Sequence, residues 1–358
     1  MKVYATERGN IYIYIVYEKK NSVTMIKKTN VALISSLDGI NNAIYNRLKN
    51  NKKINIIACN TLENIIDGEI VNAEVIVADP PNFAKSNFIH KSETPKLKFL
   101  QSTFAGCDAL LKNKRYDYLA CRAGGIMGNE IAQYVLTHIL AIERKYDICK
   151  KNQLLRRWST EEATYRSHKY VTVGILGVSG DIGQSIANFC TTIGFKTIGW
   201  QRNGKIVPNV AHIYQTYEDV LEKSDYIVNI LPSTNLTSGL LDDQALSICN
   251  NNSNNMPPPV FINAGRGDII SEDSIIEALD NHWLGGCVLD VFKQEPLDEH
   301  SKLWNRKEIT ITPHIAGLSF GDDVANVFCK NLDIYMMDND DDENDGKLNY
   351  LFDWDKGY

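Results

Sequence analysis

The sequence has no C-x-x-C pair: its eight cysteines, at positions 59, 107, 121, 149, 190, 249, 287 and 329, are dispersed through 358 residues. That spacing excludes the motifs of zinc sites and dithiol redox centres and fits reduced, mostly buried thiols, so no metal is expected. No run approaches the roughly 20 apolar residues that cross a bilayer. Residues 1–20 mix Lys2, Glu7, Arg8 and Glu18 into a Tyr/Ile alternation, where a secretory leader would carry an apolar block. A cytoplasmic protein with no membrane partner is the expectation. Basic excess is also missing, because 38 Lys and Arg against 44 Asp and Glu leave a net charge of −6. With no cationic face to neutralise a phosphate backbone, nucleic acid is not expected as a partner.

The composition that remains, 44% hydrophobic and 23% charged, is that of an ordinary globular chain. Its length exceeds the roughly 250–300 residues at which a single core stops growing, which predicts two domains and a cleft between them. From Val31 to Cys121, β-rich runs (Ala32–Ser35, Ile54–Ala58, Glu74–Ala78, Leu97–Gln101, Tyr118–Cys121) alternate with polar or helix-like segments, the pattern of a small parallel α/β domain. Upstream, Ile11–Tyr17 and Val23–Lys27 flank a polar turn and read as an added hairpin. Ile131, Val135, Ile139 and Ile142 fall at spacings of four and three, which predicts one long amphipathic helix over Asn129–Asp147 that bridges the domains. A second alternation follows: Val171–Leu176, Lys196–Trp200, Tyr226–Ile230, Val260–Asn263, Gly286–Leu289 and Thr310–Thr312. This predicts a doubly wound parallel sheet. After Gly317, Val324, Val327, Phe328 and Leu332 describe a further helix. The Asn-rich stretch Asn250–Asn255 before Pro257–Pro259, and the acidic run Asp338–Asp345, read as solvated loops.

Chemistry gathers at the ends of the later strands. Val171–Leu176 runs into Gly177-Val-Ser-Gly180-Asp-Ile-Gly183 and then a helical pattern. Such glycines let backbone N–H groups approach a pyrophosphate at a helix N-terminus, although the spacing departs from G-x-G-x-x-G by one residue. The next strand ends Trp200-Gln201-Arg202-Asn203, without the carboxylate that would hold the adenosine ribose of NAD. Arg202, helped by Lys205, would instead neutralise a 2′-phosphate, which favours NADP(H) over NAD(H). The alternative for Arg202 is a plain solvated loop residue. Arg266, Glu295 and His314 each follow the carboxyl end of a late strand, the edge at which open α/β sheets bind ligands. Phe104 and Trp304 read as core packing, with a pocket wall as the alternative.

With these motifs the sequence resembles the D-isomer-specific 2-hydroxyacid dehydrogenases, and within them the glyoxylate and hydroxypyruvate reductases, over nearly everything from about Val31 onward. The motifs that carry the resemblance are Leu97–Asp108, Gly177–Gly183, Leu231-Pro232 with Thr237, Asn263–Gly267, Leu289–Pro296 and Thr312–Gly317. It implies a fold of two Rossmann-like or flavodoxin-like parallel-sheet domains with a cleft between them. Residues 1–122 plus 320–358 would form the substrate domain and residues 123–319 the dinucleotide domain. It further implies Arg266, Glu295 and His314 as a catalytic trio, and a substrate-carboxylate loop at Ala105 and Gly106 that works with Arg266. Cofactor contacts would come from Gly177, Gly180, Asp181, Ile182, Gly183, Leu231, Pro232, Thr237, Ala264, Asp290 and Gly317, beside Arg202. A homodimer is implied as well, which would account for the aromatic tail Leu348–Tyr358.

The expected reaction is reduction of a small 2-keto acid to its D-2-hydroxy acid. His314 would protonate the keto oxygen, Glu295 would favour the charged imidazole, and Arg266 would grip the carboxylate. A rival from another class is a dinucleotide-sensing binding protein, since the fold also resembles corepressors that bind NAD(H).

Overall fold

The computed structural model describes residues 28–66, 68–112, 115–201, 206–251, 257–338 and 348–357. The expected hairpin at 11–27, Arg202 and Lys205, the asparagines from 252 onward and the acidic run from 339 onward lie outside the described residues.

Two parallel sheets organise the chain. The first contains β1 (Thr29–Ile34), β2 (Ile54–Asn60), β3 (Val75–Ala78), β4 (Phe99–Ser102) and β5 (Leu119–Cys121), with the spatial order β2-β1-β3-β4-β5. The helices α1 (Ile40–Leu48), α2 (Pro80–Lys85) and α3 (Asp108–Leu111) lie between its strands in sequence. Successive side chains of a strand point to opposite faces, and here both faces are covered. Val31 and Leu33 pack with Ile40 and Ile44 of α1, while Ala32 and Ile34 pack with Phe83 of α2 and Leu110 of α3. This is why these strands read as unbroken apolar runs.

After β5 the chain enters α4 (Gly128–Glu143) and α5 (Tyr146–Leu154). The single helix expected over Asn129–Asp147 is therefore two, because Lys145 adopts a left-handed φ of 54° between them. Neither Gly nor Pro marks the break in the sequence. It coincides with the point where Glu143 is pinned by two residues from elsewhere in the fold, Arg166 and Tyr226.

The second sheet has the order β12-β11-β10-β9-β6-β7-β8. Its strands are β6 (Thr172–Leu176), β7 (Lys196–Trp200), β8 (His212–Tyr214), β9 (Tyr226–Asn229), β10 (Val260–Asn263), β11 (Gly286–Leu289) and β12 (Ile309–Ile311). Helices α6 (Asp181–Thr192), α7 (Tyr217–Lys223), α8 (Asp243–Ser247) and α9 (Glu272–Asp280) cover it together with α4. The edge strand β8 has no counterpart in the sequence reading, being three residues long and half-exposed. The order reverses beside β6, the switch point at which doubly wound sheets open a crevice.

Helix α10 (Gly321–Asp338) then carries the chain back to the first sheet, where Val324, Phe328 and Leu332 are buried against α1 and β1. The tail returns there too. Leu351 bridges antiparallel to Cys121, Phe352 donates its N–H to the Ala120 carbonyl at 2.7 Å, and Trp354 packs on Tyr116, Tyr118 and Phe352. The aromatic tail is thus buried by its own chain and needs no second subunit to account for it. All eight thiols are free, five of them buried. Among the described residues no helix is long and apolar enough to cross a membrane.

Candidate active site

Three neighbouring strands bring the expected trio to one edge. Asn263 of β10, Leu289 of β11 and Ile311 of β12 are successive Cα partners, and Arg266, Glu295 and His314 stand on the loops that leave these strands. The loops are tied together by one buried carboxylate. Asp290, 1% exposed, accepts from Thr312 Oγ1 (2.6 Å), Ile315 N (2.8 Å) and Ala316 N (2.9 Å), and its own carbonyl accepts the His314 N–H at 2.9 Å. His314 is held with a left-handed φ of 55°, a conformation that non-glycine residues keep only where the surroundings impose it. Asp290, expected among the cofactor contacts, uses both carboxylate oxygens in holding the 312–316 turn.

The imidazole is oriented by its acid. His314 Nδ1 lies 2.7 Å from Glu295 Oε2, while Glu295 Oε1 accepts the Phe292 N–H at 2.9 Å. With both oxygens engaged the carboxylate is fixed, and the hydrogen on Nδ1 leaves Nε2 as the nitrogen that can exchange a proton. Among the described residues Nε2 has no partner, and the side chain is half-exposed.

Arg266 reaches across to the first sheet. Its Nη1 donates to the Gly265 carbonyl at 2.8 Å, and Nε and Nη2 donate to Asp108 at 3.2 and 3.4 Å. Its guanidinium lies over Gly106, where a Cβ would meet Nη2 at 1.9 Å. Ala105 and Gly106 belong to a tight loop in which Ser102 Oγ donates to the Phe104 carbonyl (2.7 Å) and accepts the Phe104 N–H (2.9 Å). Among the described residues no acceptor takes the N–H of Ala105 or Gly106, so two donors remain for an anion beside the guanidinium. The neighbouring Cys107 is no nucleophile, since burial pushes its thiol up to about 12.

The loop is anchored by residues that the sequence reading passed over. Thr103 Oγ1 donates to the buried Asp79 at 2.6 Å; Asp79 also accepts from Ser35 Oγ, from Ser36 N (2.8 Å) and from Ser36 Oγ (2.6 Å). Ser319, just beyond the His314 turn, donates to the Thr103 carbonyl at 2.8 Å and joins the two loops directly. Asp79 carried a signal, a lone acid after the wholly buried strand β3; Ser319 carried none. Phe104 and Trp304 are not core residues: they are 39% and 51% exposed. In a half-exposed position neither ring is packed around, and Trp304 spends its indole N–H on the Asp298 carbonyl at 2.9 Å.

The glycine turn fits a dinucleotide pyrophosphate. Gly177 takes φ 97°, and Gly183 lies so near the turn that a Cβ would meet the Gly177 carbonyl at 2.5 Å. At Gly180 a Cβ would meet only the Gly177 carbonyl, at 3.6 Å, so the backbone is open where the first N–H groups of the 12-residue α6 have no intrahelical partner. The extra residue is absorbed in this turn, where Gly180 donates to the Gly177 carbonyl at 3.2 Å. Ile182 follows in the first turn of α6, half-buried, and Leu231 packs over Gly177. Other expected cofactor contacts have a local use. Asp181 accepts the Gly125 N–H at 2.8 Å, and Thr237 donates to the Pro232 carbonyl at 2.6 Å inside its own loop. Ala264 donates its N–H to the Asn229 carbonyl at 3.1 Å, and Gly317 gives α4 room at Ile131.

Residues 136–316 match the model of the D-isomer specific 2-hydroxyacid dehydrogenase, NAD binding domain. The chain is 32% identical over 238 residues to glyoxylate/hydroxypyruvate reductase A of Photorhabdus laumondii, covering 64% of this chain and 73% of that protein. Among solved structures it is similar to a D-isomer specific 2-hydroxyacid dehydrogenase family protein of Aeromonas salmonicida (30% identity, TM-score 0.76, 92% of this chain and 100% of that one). It is also similar to an NADPH-dependent glyoxylate/hydroxypyruvate reductase of Sinorhizobium meliloti in complex with NADP and sulfate (26% identity, TM-score 0.76, 92% and 100%).

Proposed function

Because the chain belongs to the D-isomer specific 2-hydroxyacid dehydrogenases, oxidoreductases that use a nicotinamide dinucleotide, we propose that it reduces a small 2-keto acid of the glyoxylate or hydroxypyruvate type to the D-2-hydroxy acid. The observation that carries this reading is the 2.7 Å contact between His314 Nδ1 and Glu295, at the same sheet edge as Arg266 and the glycine turn. Both relatives named for glyoxylate and hydroxypyruvate support the substrate class.

In the proposed reaction the bound reduced nicotinamide supplies a hydride to the keto carbon. His314 Nε2 gives a proton to the keto oxygen, and Glu295, across the ring, balances the imidazolium before that transfer. Arg266 and the free N–H groups of Ala105 and Gly106 bind the carboxylate and hold the carbon in register. The N-terminus of α6 with Gly177, Gly180 and Gly183 would hold the pyrophosphate. NADP(H) is the proposed cofactor, with NAD(H) the alternative; the absence of a carboxylate at the end of β7 and the NADP complex of the Sinorhizobium relative support it. The two sheets support residues 123–319 as the dinucleotide domain and residues 1–122 plus 320–358 as the substrate domain. A homodimer in the cytoplasm completes the reading. The support for a dimer is apolar exposure at and just beyond the end of α5, where Leu154 is 82% and Trp158 98% exposed.

The direct test is absorbance at 340 nm with NADPH or NADH against glyoxylate, hydroxypyruvate and pyruvate. Oxidation of NADPH by the first two is expected; oxidation of neither cofactor would favour the dinucleotide-sensing rival. Gly106→Ala is expected to push the Arg266 guanidinium aside, because the added methyl needs the space that Nη2 fills. A displacement on this scale lowers kcat/KM by about 10²-fold. Thermal unfolding of the variant should match the wild type, so a large drop in Tm would count against this account.

A further inference from the structure

The Arg266 side chain is attached to one sheet and oriented by the other. Its backbone follows β10, whereas the carboxylate that takes its Nε and Nη2 belongs to Asp108, the first residue of α3 between β4 and β5. A guanidinium carries five N–H groups. Asp108 uses one on Nε and one on Nη2, and the Gly265 carbonyl uses one on Nη1. One N–H then remains on each terminal nitrogen, a pair suited to a second carboxylate. The side chains of the pair are 29% and 41% exposed, and ion pairs so open to water add little to stability. What the pair does supply is direction. A long side chain with four rotatable bonds is pinned at its tip over Gly106, beside the two free N–H groups of the Ala105 loop.

From this arrangement we infer that Asp108 is a positioning residue that aims Arg266 at the carboxylate of the substrate, acting from the opposite sheet. The inference rests on the reading of Arg266 as the residue that grips the keto acid. It also makes the guanidinium fork competent only while the loop after β10 and the loop after β4 are held in this relation; the bond from Ser319 to the Thr103 carbonyl separately ties the loop after β4 to the His314 turn.

The experiment is a double-mutant cycle in the full-length protein saturated with NADPH, using glyoxylate and hydroxypyruvate. Asp108→Asn should lower kcat/KM by about tenfold or more, with the Kd for NADPH and the Tm unchanged. In an Arg266→Lys background the same substitution should add nothing, because Asp108 acts through the guanidinium. Additive losses in the cycle would overturn the inference, and so would unchanged or improved kcat/KM in Asp108→Asn, the improved case meaning that Asp108 competes with substrate. Full activity in Arg266→Lys would overturn the site reading together with this one. Loss in Arg266→Lys beside full activity in Asp108→Asn would overturn this one alone.

Discussion

Alanine at position 314 is expected to lower keto-acid turnover by about 10²–10⁴-fold, the range that a positioned general acid contributes. Cofactor affinity should stay at the wild-type value. The imidazole is half-exposed and, among the described residues, its ring makes one hydrogen bond, to Glu295, so its removal opens no sealed cavity. The backbone of the turn is held separately, by Asp290 through the amides of 314, 315 and 316 and the hydroxyl of Thr312. The loss should therefore fall on kcat, read from steady-state rates, with the Kd for NADPH from fluorescence titration unmoved. A variant that keeps more than about a tenth of wild-type turnover would show that another group delivers the proton.

The largest expected loss of stability lies at the opposite end of the second sheet. Arg166 donates to Glu143 (2.7 Å from Nη2, 3.0 and 3.1 Å from Nε) and to Asp225 (2.6 Å), with side-chain exposures of 25%, 11% and 8% for the three groups. Tyr226 adds a hydroxyl donor to Glu143 at 2.7 Å. Arg166→Met keeps an unbranched apolar stem but strands two poorly hydrated carboxylates, which costs about 3–5 kcal/mol of unfolding free energy. Its pH dependence has a definite sign. Burial pushes the Glu143 carboxyl up, but the hydrogen bonds from Arg166 and Tyr226 outweigh it and hold the group below its ordinary value of 4.5. A depressed folded value means that the contribution is complete above the unfolded pKa and fades as pH falls through the folded one. In the variant burial acts with less opposition, so protonation relieves the strain. The gap between the two proteins should thus be widest near pH 7 and narrow below about pH 4.5. Denaturant titrations at the two pH values measure it, and a gap under about 1 kcal/mol at pH 7 would contradict the argument.

What could be read before any coordinates were known follows from where burial acts on both faces of a strand. Val173, Ile175, Ile227, Phe261 and Val288 are enclosed from both sides, so their strands stand out as apolar runs, and the loops after them inherit a predictable edge. That is why Arg266, Glu295 and His314 could be expected together. Signals failed where a residue owes its state to a distant partner. Lys145 breaks a helix without Gly or Pro, and β8 is too short and too exposed to show a pattern. The three donors that Asp290 takes from the next loop likewise left no trace in the sequence pattern. Asp108 sits inside a motif that was read, but its contact with Arg266 spans 158 positions and has no periodicity to reveal it.

The return of residues 348–357 to the edge of β5 has a consequence for biogenesis. A nascent polypeptide emerges from the ribosome in order, and modules commonly fold as they appear. Here the module begun first is finished last: α10 and the Leu351–Trp354 segment, synthesised after everything that builds the second sheet, complete its packing. The later-made half, being contiguous from Thr172 to Ile311, can mature while the earlier half still waits with β5 uncovered and open to chaperones.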